Sequence, residues 1–386
     1  MFLSTLRRRQ WLQLGAAASL APWGAAHAQA RPGRMPDGAP LVVAQIADMS
    51  PGQQDVSRDF VVGARAAWQE INARGGIRGR AVEHRTIEVQ GTGAGLQAAW
   101  RSVVDDPACI ALSGCVGDGA AAALAALART QPPAQPIAQV APWLHHPDAA
   151  SAGDTLFGIF PGYQEQIAHA LQSLAIMGVQ ELGVVYASAA VRTQAQENIA
   201  QAAQALGLRV QALPLPGSSA QADRQLATPA QVIVLFAGGT PELHDFVRRL
   251  KLPPGRLCYI VALADVNLQV LAQMGVAQRN VSVIATQAVP LVTAGLPVVR
   301  AYRQALGRFF DEPPSPLGLA GFVAARCLAQ VLQGMGGEIT RAAVLAALRE
   351  RQDMDLGGFT LAFHGRRRSR AYVTQSMLTA DGRIVG

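Results

Sequence analysis

The 386-residue chain lacks the short motifs that mark familiar catalytic centres. It has no Gly-x-Ser-x-Gly elbow, no Walker loop, no paired Cys-x-x-Cys and no His-Glu-x-x-His helix. Ser113-Gly114-Cys115 follows an apolar run as a nucleophile would. Its flanking pattern is not that of a nucleophile elbow, however, and no His/Asp set accompanies it, so catalysis is not indicated and no cofactor is called for. A clustered basic stripe interleaved with aromatics is also missing, which excludes nucleic acid as a partner. The one dense cluster, Arg366, Arg367, Arg368 and Arg370, reads as a solvated turn. Arg7, Arg8 and Arg9 carry three of the formal charges before residue 28, where no acid occurs, leaving +4 of the total +7 on the rest of the chain. There are only four cysteines. Cys109 and Cys115 flank one strand, ~20 Å apart at ~3.3 Å per residue, so they cannot pair with each other, and buried free thiols are the reading.

Beyond the N-terminus no apolar run approaches the ~20 residues of a membrane span. Residues 1–28 read as a signal peptide. Arg7 to Arg9 are its charged region, residues 12–26 its apolar region, and Ala26-His27-Ala28 a small-x-small cleavage site. Arg8-Arg9-Gln10-Trp11-Leu12 looks like a twin-arginine signal, which predicts export to the periplasm by that route. No Cys stands at the cleavage site, so no lipid anchor is expected.

Strands and helices alternate through the remainder. Residues 41–47 form a continuous apolar run, and in 60–80 the positions Phe60, Ala64, Ala67, Trp68 and Ile71 recur at helical spacing on one face. Ser57 is placed to cap that helix, and Gly75-Gly76 to end it in left-handed conformation. Strand, helix, turn and strand make a βαβ unit. The same rhythm gives strands at 81–89, 109–114 and 136–141 with helices at 94–106 and 120–130. It restarts from Tyr163, with strands at 181–186, 209–215, 231–237, 256–263 and 280–286. Three helices, 297–310, 317–332 and 341–349, then follow without a strand between them.

The block Gly63-Ala64, Ala67, Ile71-Asn72-Ala73, Gly75-Gly76-Ile77 and Gly79-Arg80 resembles the start of the type I periplasmic solute-binding proteins, the Leu/Ile/Val-binding family of ABC importers. The order of elements resembles that family over 41–386. The resemblance implies an α/β fold of the periplasmic binding protein type I class: two doubly wound (Rossmann-like) lobes joined by a three-segment hinge. After the signal peptide (1–28) and a linker (29–40), lobe I takes 41–161 plus 287–370 and lobe II takes 162–286 plus 371–386. The crossovers fall near Pro161-Gly162, near residues 288–290 and around 371–378. The implied function is capture of a small polar ligand, an amino acid or related carboxylate or amide, by hinge closure. The implied partners are that ligand and an ABC permease of the inner membrane, and the implied state is a monomer. A periplasmic sensor of the same fold, signalling to a receptor or kinase, is the alternative.

Ligands of open parallel sheets gather at the carboxyl ends of strands. By the resemblance, Leu144 and His145 stand at carboxylate-contacting positions, and Gly117 and Asp118 stand where a serine is usual. Asp118 either greets a neutral or cationic group or caps the helix after it. The usual ammonium-binding Glu falls near Leu263, with Asp265 two residues on, which either meets the ligand or caps a helix. Arg192 either grips an anion through its planar fork or is solvated. Trp143 is a cleft wall or a core plug, and Tyr163, at the proposed hinge, packs or makes contact. Thr240 completes the set from the loop at 238–240. His145-His146 has no third ligand at a useful spacing, so a loop is preferred to a metal site.

Overall fold

The computed structural model describes residues 38–145, 155–214, 232–250, 252, 254–276, 280–350, 353–363 and 372–386. The signal-peptide reading, His146 and the Arg366–Arg370 cluster lie outside the described residues. Two large sheets organise the chain. The first holds β1 (Leu41–Asp48), β2 (Val82–Val89), β3 (Cys109–Ser113), β4 (Ala138–Val140) and β5 (Leu156–Phe157), all parallel, in the order β2-β1-β3-β4-β5. Every residue of β1 is buried, as expected of a strand covered on both faces. Helices α1 (Gln54–Ala73), α2 (Ala94–Val104) and α3 (Asp118–Thr130) are the crossovers.

Helix α4 (Tyr163–Ile176) opens the second lobe. Its sheet contains β6 (Glu181–Tyr186), β7 (Arg209–Ala212), β8 (Ile233–Ala237), β9 (Cys258–Ala262) and β10 (Val281–Gln287), with α5 (Ala189–Ala205), α6 (Thr240–Arg249) and α7 (Leu268–Gln273) between strands. The chain then leaves for α8 (Pro297–Phe309), α9 (Pro316–Gln333), α10 (Arg341–Glu350) and a small hairpin, β11 (Asp353–Asp355) with β12 (Thr360–Ala362). It returns as β13 (Thr374–Leu378) and β14 (Ile384–Val385), which add antiparallel strands and complete the order β14-β13-β10-β9-β8-β6-β7. The chain thus passes between the sheets three times. The two lobes are doubly wound α/β units joined by these three segments.

Helix α9 is long and apolar enough to cross a membrane by length and composition. Fourteen of its eighteen residues are buried, and the helix packs against α1. The helices approach so closely that a Cβ added at Gly63 would lie 1.7 Å from the Gly318 carbonyl oxygen, and one added at Gly321 would lie 1.9 Å from that of Phe60. The small residues therefore set the interhelical distance. Arg341, buried at the start of α10, fastens that helix to the same lobe. Its guanidinium donates to the carbonyls of Val103, Val104, Asp106, Cys109 and Gln135 at 2.6–3.3 Å.

The start of α1 differs from the sequence expectation. The helix begins at Gln54, ahead of Ser57, so Ser57 is an interior residue on the buried face and its hydroxyl has no hydrogen-bond partner among the described residues. Gly75 and Gly76 do adopt positive φ, +100° and +73°. The four cysteines are buried thiols, none in a disulfide, and burial pushes the Cys115 thiol up to about 12.

Candidate functional site

Trp143 and His145 leave the carboxyl end of β4, and Asp265 leaves that of β9, so the two sheets present these loops to each other. The Asp265 carboxylate accepts three hydrogen bonds. Trp143 Nε1–H donates to Oδ1 at 2.8 Å, His145 Nε2 to the same oxygen at 3.1 Å, and the Tyr163 hydroxyl to Oδ2 at 2.8 Å. Trp143 packs edge-on against Phe60 and Phe160, with ring centroids 5.7 and 5.1 Å away. The His145 ring stacks on Tyr163 at 5.1 Å.

The proton inventory of His145 follows from its neighbours. Nε2 faces the Asp265 carboxylate, an acceptor, so Nε2 carries hydrogen, while Nδ1 lies 3.1 Å from both the Pro161 carbonyl oxygen and the Gln166 carboxamide nitrogen. Gln166 Oε1 accepts from the Ala264 N–H and the Thr286 hydroxyl, both at 2.9 Å, which turns its NH2 toward Pro161 O and the ring. Asp118 holds the loop itself, its Oδ1 accepting from the His145 backbone N–H at 2.7 Å.

Burial alone would lower the His145 pKa, but the Asp265 charge and hydrogen bond, with Asp118 and the Pro161 carbonyl, outweigh it and hold the imidazole at about 9. Burial would likewise raise Asp265; the charge of His145 and the hydrogen bonds from His145, Trp143 and Tyr163 hold it at about 2. Tyr163 is pushed well above its usual value by burial and by the nearby Asp265 and Asp118 carboxylates. The cluster is therefore an ion pair with neutral donors around it.

A second bridge lies alongside. Asn267 Nδ2 donates to Asp59 Oδ2 on α1 at 3.0 Å, and the Thr240 hydroxyl, at the start of α6, accepts from the Asn267 N–H at 3.0 Å. Burial, with Asp55 nearby, raises the Asp59 carboxyl despite hydrogen bonds from Ser315 and Asn267.

Of the nine residues singled out in the sequence, Asp118, Trp143, His145, Tyr163 and Asp265 meet in one cluster, and Thr240 joins the Asn267 bridge. Asp118 is the first residue of α3 and does not cap it; Gly117 takes the cap position at φ +99°, where a Cβ would lie 2.5 Å from that of Asp48. Asp265 does not cap α7, whose cap is Asn267, accepting from the N–H groups of Gln269 and Val270. Trp143 is a core plug, 1% exposed, whose N–H reaches across to the other lobe. Leu144 packs against Ala125 and Leu156. Arg192 is exposed in the first turn of α5, outside the cluster. Gln166, Asp59, Asn267 and Thr286 were missed. Asn267 carried a readable signal, an Asn directly before an apolar run, and Gln166 lies one helical turn beyond Tyr163. Asp59 and Thr286 carried none. Among the described residues no group of three or more His, Cys, Asp or Glu side chains could hold a metal ion.

Two facing parallel-sheet lobes with polar groups converging between them define a two-lobed binding protein. The sequence profile of the periplasmic binding protein family matches residues 40–381, and the chain belongs to that family. An extracellular ligand-binding receptor from Verminephrobacter eiseniae ef01-2 superposes with a TM-score of 0.78 at 20% identity, covering 90% of this chain and 100% of its own. A fatty acid ABC transporter substrate-binding protein from Thermomonospora curvata gives 0.73 at 17% identity, covering 91% and 92%. The branched-chain amino acid transporter substrate-binding protein LivJ from Streptococcus pneumoniae str. Canada MDR_19A, in complex with isoleucine, also gives 0.73 at 17%, covering 90% and 98%. Curated protein sequences give no match. At these identities the structural likeness speaks for the fold.

Proposed function

We propose that this protein is the solute-capturing component of an ABC importer. It is exported to the periplasm, works as a monomer without catalysis, and delivers a small polar solute, an amino acid or related carboxylate or amide, to an inner-membrane permease. The observation that carries the reading is the convergence of Trp143 and His145, beyond a strand of one sheet, on Asp265, beyond a strand of the other, with Tyr163 at the start of α4 completing the cluster. A solute entering an opened cleft exchanges its own donors and acceptors for those the lobes give each other here. Gly117, Asp118, Leu144 and His145 would face it from one lobe and Tyr163, Arg192, Thr240 and Asp265 from the other, with the indole N–H of the plug Trp143 between them. Closure then marks the loaded form, because only the shut cleft realises contacts from both lobes. Membership of the family and the isoleucine-bound neighbour support this assignment.

A thermal-shift screen against amino acids, dicarboxylates, amides and polyamines tests it. Solute at 100 times its dissociation constant adds about 2.7 kcal/mol, several degrees for a chain of this size. An aliphatic amino acid or small amide should stabilise the wild type and lose its effect in Asp265→Asn. Stabilisation by none of these classes would sink the reading.

A further inference from the structure

Beside the Asn267–Asp59 bridge the lobes meet again, through two glycine loops. Gly52 and Gln53 lead from β1 into α1, and Gly239 leads from β8 into α6. A Cβ added at Gly239 would lie 3.3 Å from the Gly52 carbonyl oxygen and 3.0 Å from Glu242 Oε2, and one added at Gly52 would lie 3.8 Å from Glu242 Oε1. Two side-chain oxygens of these loops, Gln53 Oε1 from one lobe and Glu242 Oε2 from the other, are fully enclosed and accept no hydrogen bond among the described residues. Enclosed acceptors without donors are costly unless something entering between the lobes satisfies them.

Helix capping does not account for Glu242. It stands third in α6 after Gly239, as Glu165 stands third in α4 after Gly162. Glu165 Oε2 accepts from the Gly162 N–H at 3.0 Å and closes a capping box, whereas Glu242 Oε2 accepts from nothing. Asp55 and Asp59, one turn apart on α1, place two further carboxylates beside Gln53, and burial raises both. Arg58, whose charge reaches both, is exposed. None of Asp55, Asp59 and Glu242 joins an ion pair among the described residues. Asp265 differs, because His145 balances its charge.

We propose that this seam selects the charge of the captured solute: a cationic nitrogen, an ammonium or guanidinium group on the solute's side chain, donates to Gln53 Oε1 and Glu242 Oε2 when the lobes shut. The inference rests on the solute-capture reading and narrows it to basic solutes. A group with several N–H donors and a positive charge serves both oxygens, a hydroxyl has one donor to give, and a carboxylate has none. Because the two oxygens belong to different lobes, the cation is fully bound only in the shut form and so contributes to closure.

Lysine, norleucine and glutamate are the probes, titrated into the purified full chain at pH 7 by calorimetry and thermal shift. Norleucine keeps the α-amino and carboxyl groups and an alkyl side chain but has no side-chain ammonium. Lysine binds at least about tenfold more tightly than norleucine, and glutamate more weakly than either. Glu242→Gln reduces the lysine advantage to less than about threefold and leaves norleucine within about twofold. The melting temperature of the unliganded Glu242→Gln variant stays within about 2 °C of wild type, because Oε2 has no hydrogen bond to lose. Gln53→Leu reduces the lysine advantage about fivefold, the worth of one hydrogen bond. The proposal is overturned if glutamate binds as well as lysine, or if a folded Glu242→Gln keeps the full lysine advantage. Lysine and norleucine binding alike overturns it too and leaves solute capture standing, whereas stabilisation by no amino acid, amide, dicarboxylate or polyamine sinks both.

Discussion

Two contacts in this molecule are equally buried and opposite in kind. Between α1 and α9, backbone meets backbone across Gly63, Gly318 and Gly321, and an ion pair from Arg326 to Glu70 at 3.3 Å lies beside that close approach. Between the lobes, Asp265, which Tyr163 of its own lobe also holds, meets His145 and Trp143, and both contacts are hydrogen bonds with charge behind them. The first is fixed by shape and has no second arrangement of similar energy, because separating the helices would expose apolar surface and leave voids. The second can be exchanged, since water or a solute offers the same donors and acceptors. A two-lobed binding protein requires both, a rigid lobe and a joint that opens.

The largest effect is expected where the rigid contact is broken. Gly321→Leu places side-chain atoms inside the backbone of α1, so the helices must part; we expect no folded protein, or a melting temperature lower by more than about 10 °C, by circular dichroism. Arg341→Met tests the same lobe through polar groups. It removes the donor from five carbonyls, of which that of Asp106 keeps the Cys109 N–H, and should cost about 3 kcal/mol in urea unfolding. A loss below about 0.5 kcal/mol would mean that water replaces the guanidinium freely.

The joint is probed next, through pH. His145 is held at about 9, above its ordinary 6.5, so its contribution is fully present below pH 6.5 and is lost as pH rises through 9. Asp265 is held at about 2, below its ordinary 3.8, so its contribution is fully present above pH 3.8 and is lost as pH falls through 2. The pair is therefore strongest between about pH 4 and 6.5. The melting temperature of the wild type should exceed that of His145→Gln by a constant amount across that window, worth a few kcal/mol, and the gap should narrow toward pH 9. A gap independent of pH up to 9 would show that the imidazole is not ionised in the folded protein.

The rigid contact was legible in the sequence and the joint only partly so, for a physical reason. Phe60, Ala64, Ala67, Trp68 and Ile71 announce a buried helix face because apolar burial follows a period that one chain segment contains. The partners of Asp265 lie 102 to 122 residues away, and no local period links them. Asp118, His145 and Asp265 could be chosen as residue types at strand ends, but not that two of them neutralise each other. Ser57 was misplaced because a capping hydroxyl and an interior one look alike in sequence; helix α1 starts three residues earlier and turns Ser57 inward. Arg341 carried a usable conflict, a cation at a helix N-terminus where the dipole disfavours it, which signals a tertiary partner.

The smallest effect is expected at Arg192, and it sharpens the comparison from the outside. Its side chain is exposed on the first turn of α5, its backbone N–H serving the helix through the Ser188 carbonyl. Arg192→Ala should leave stability within about 0.5 kcal/mol of wild type at every pH, since an exposed cation contributes little to folding. The same substitution separates two kinds of solute. A zwitterion held by the Asp265 cluster would bind the variant as well as the wild type, within about twofold, whereas an anion drawn to the guanidinium would lose about tenfold and show a steeper salt dependence in the wild type. Unchanged stability with weakened anion binding would place Arg192 at the mouth of the joint; unchanged binding of every solute would leave it a solvated surface residue and assign recognition to the residues buried between the lobes.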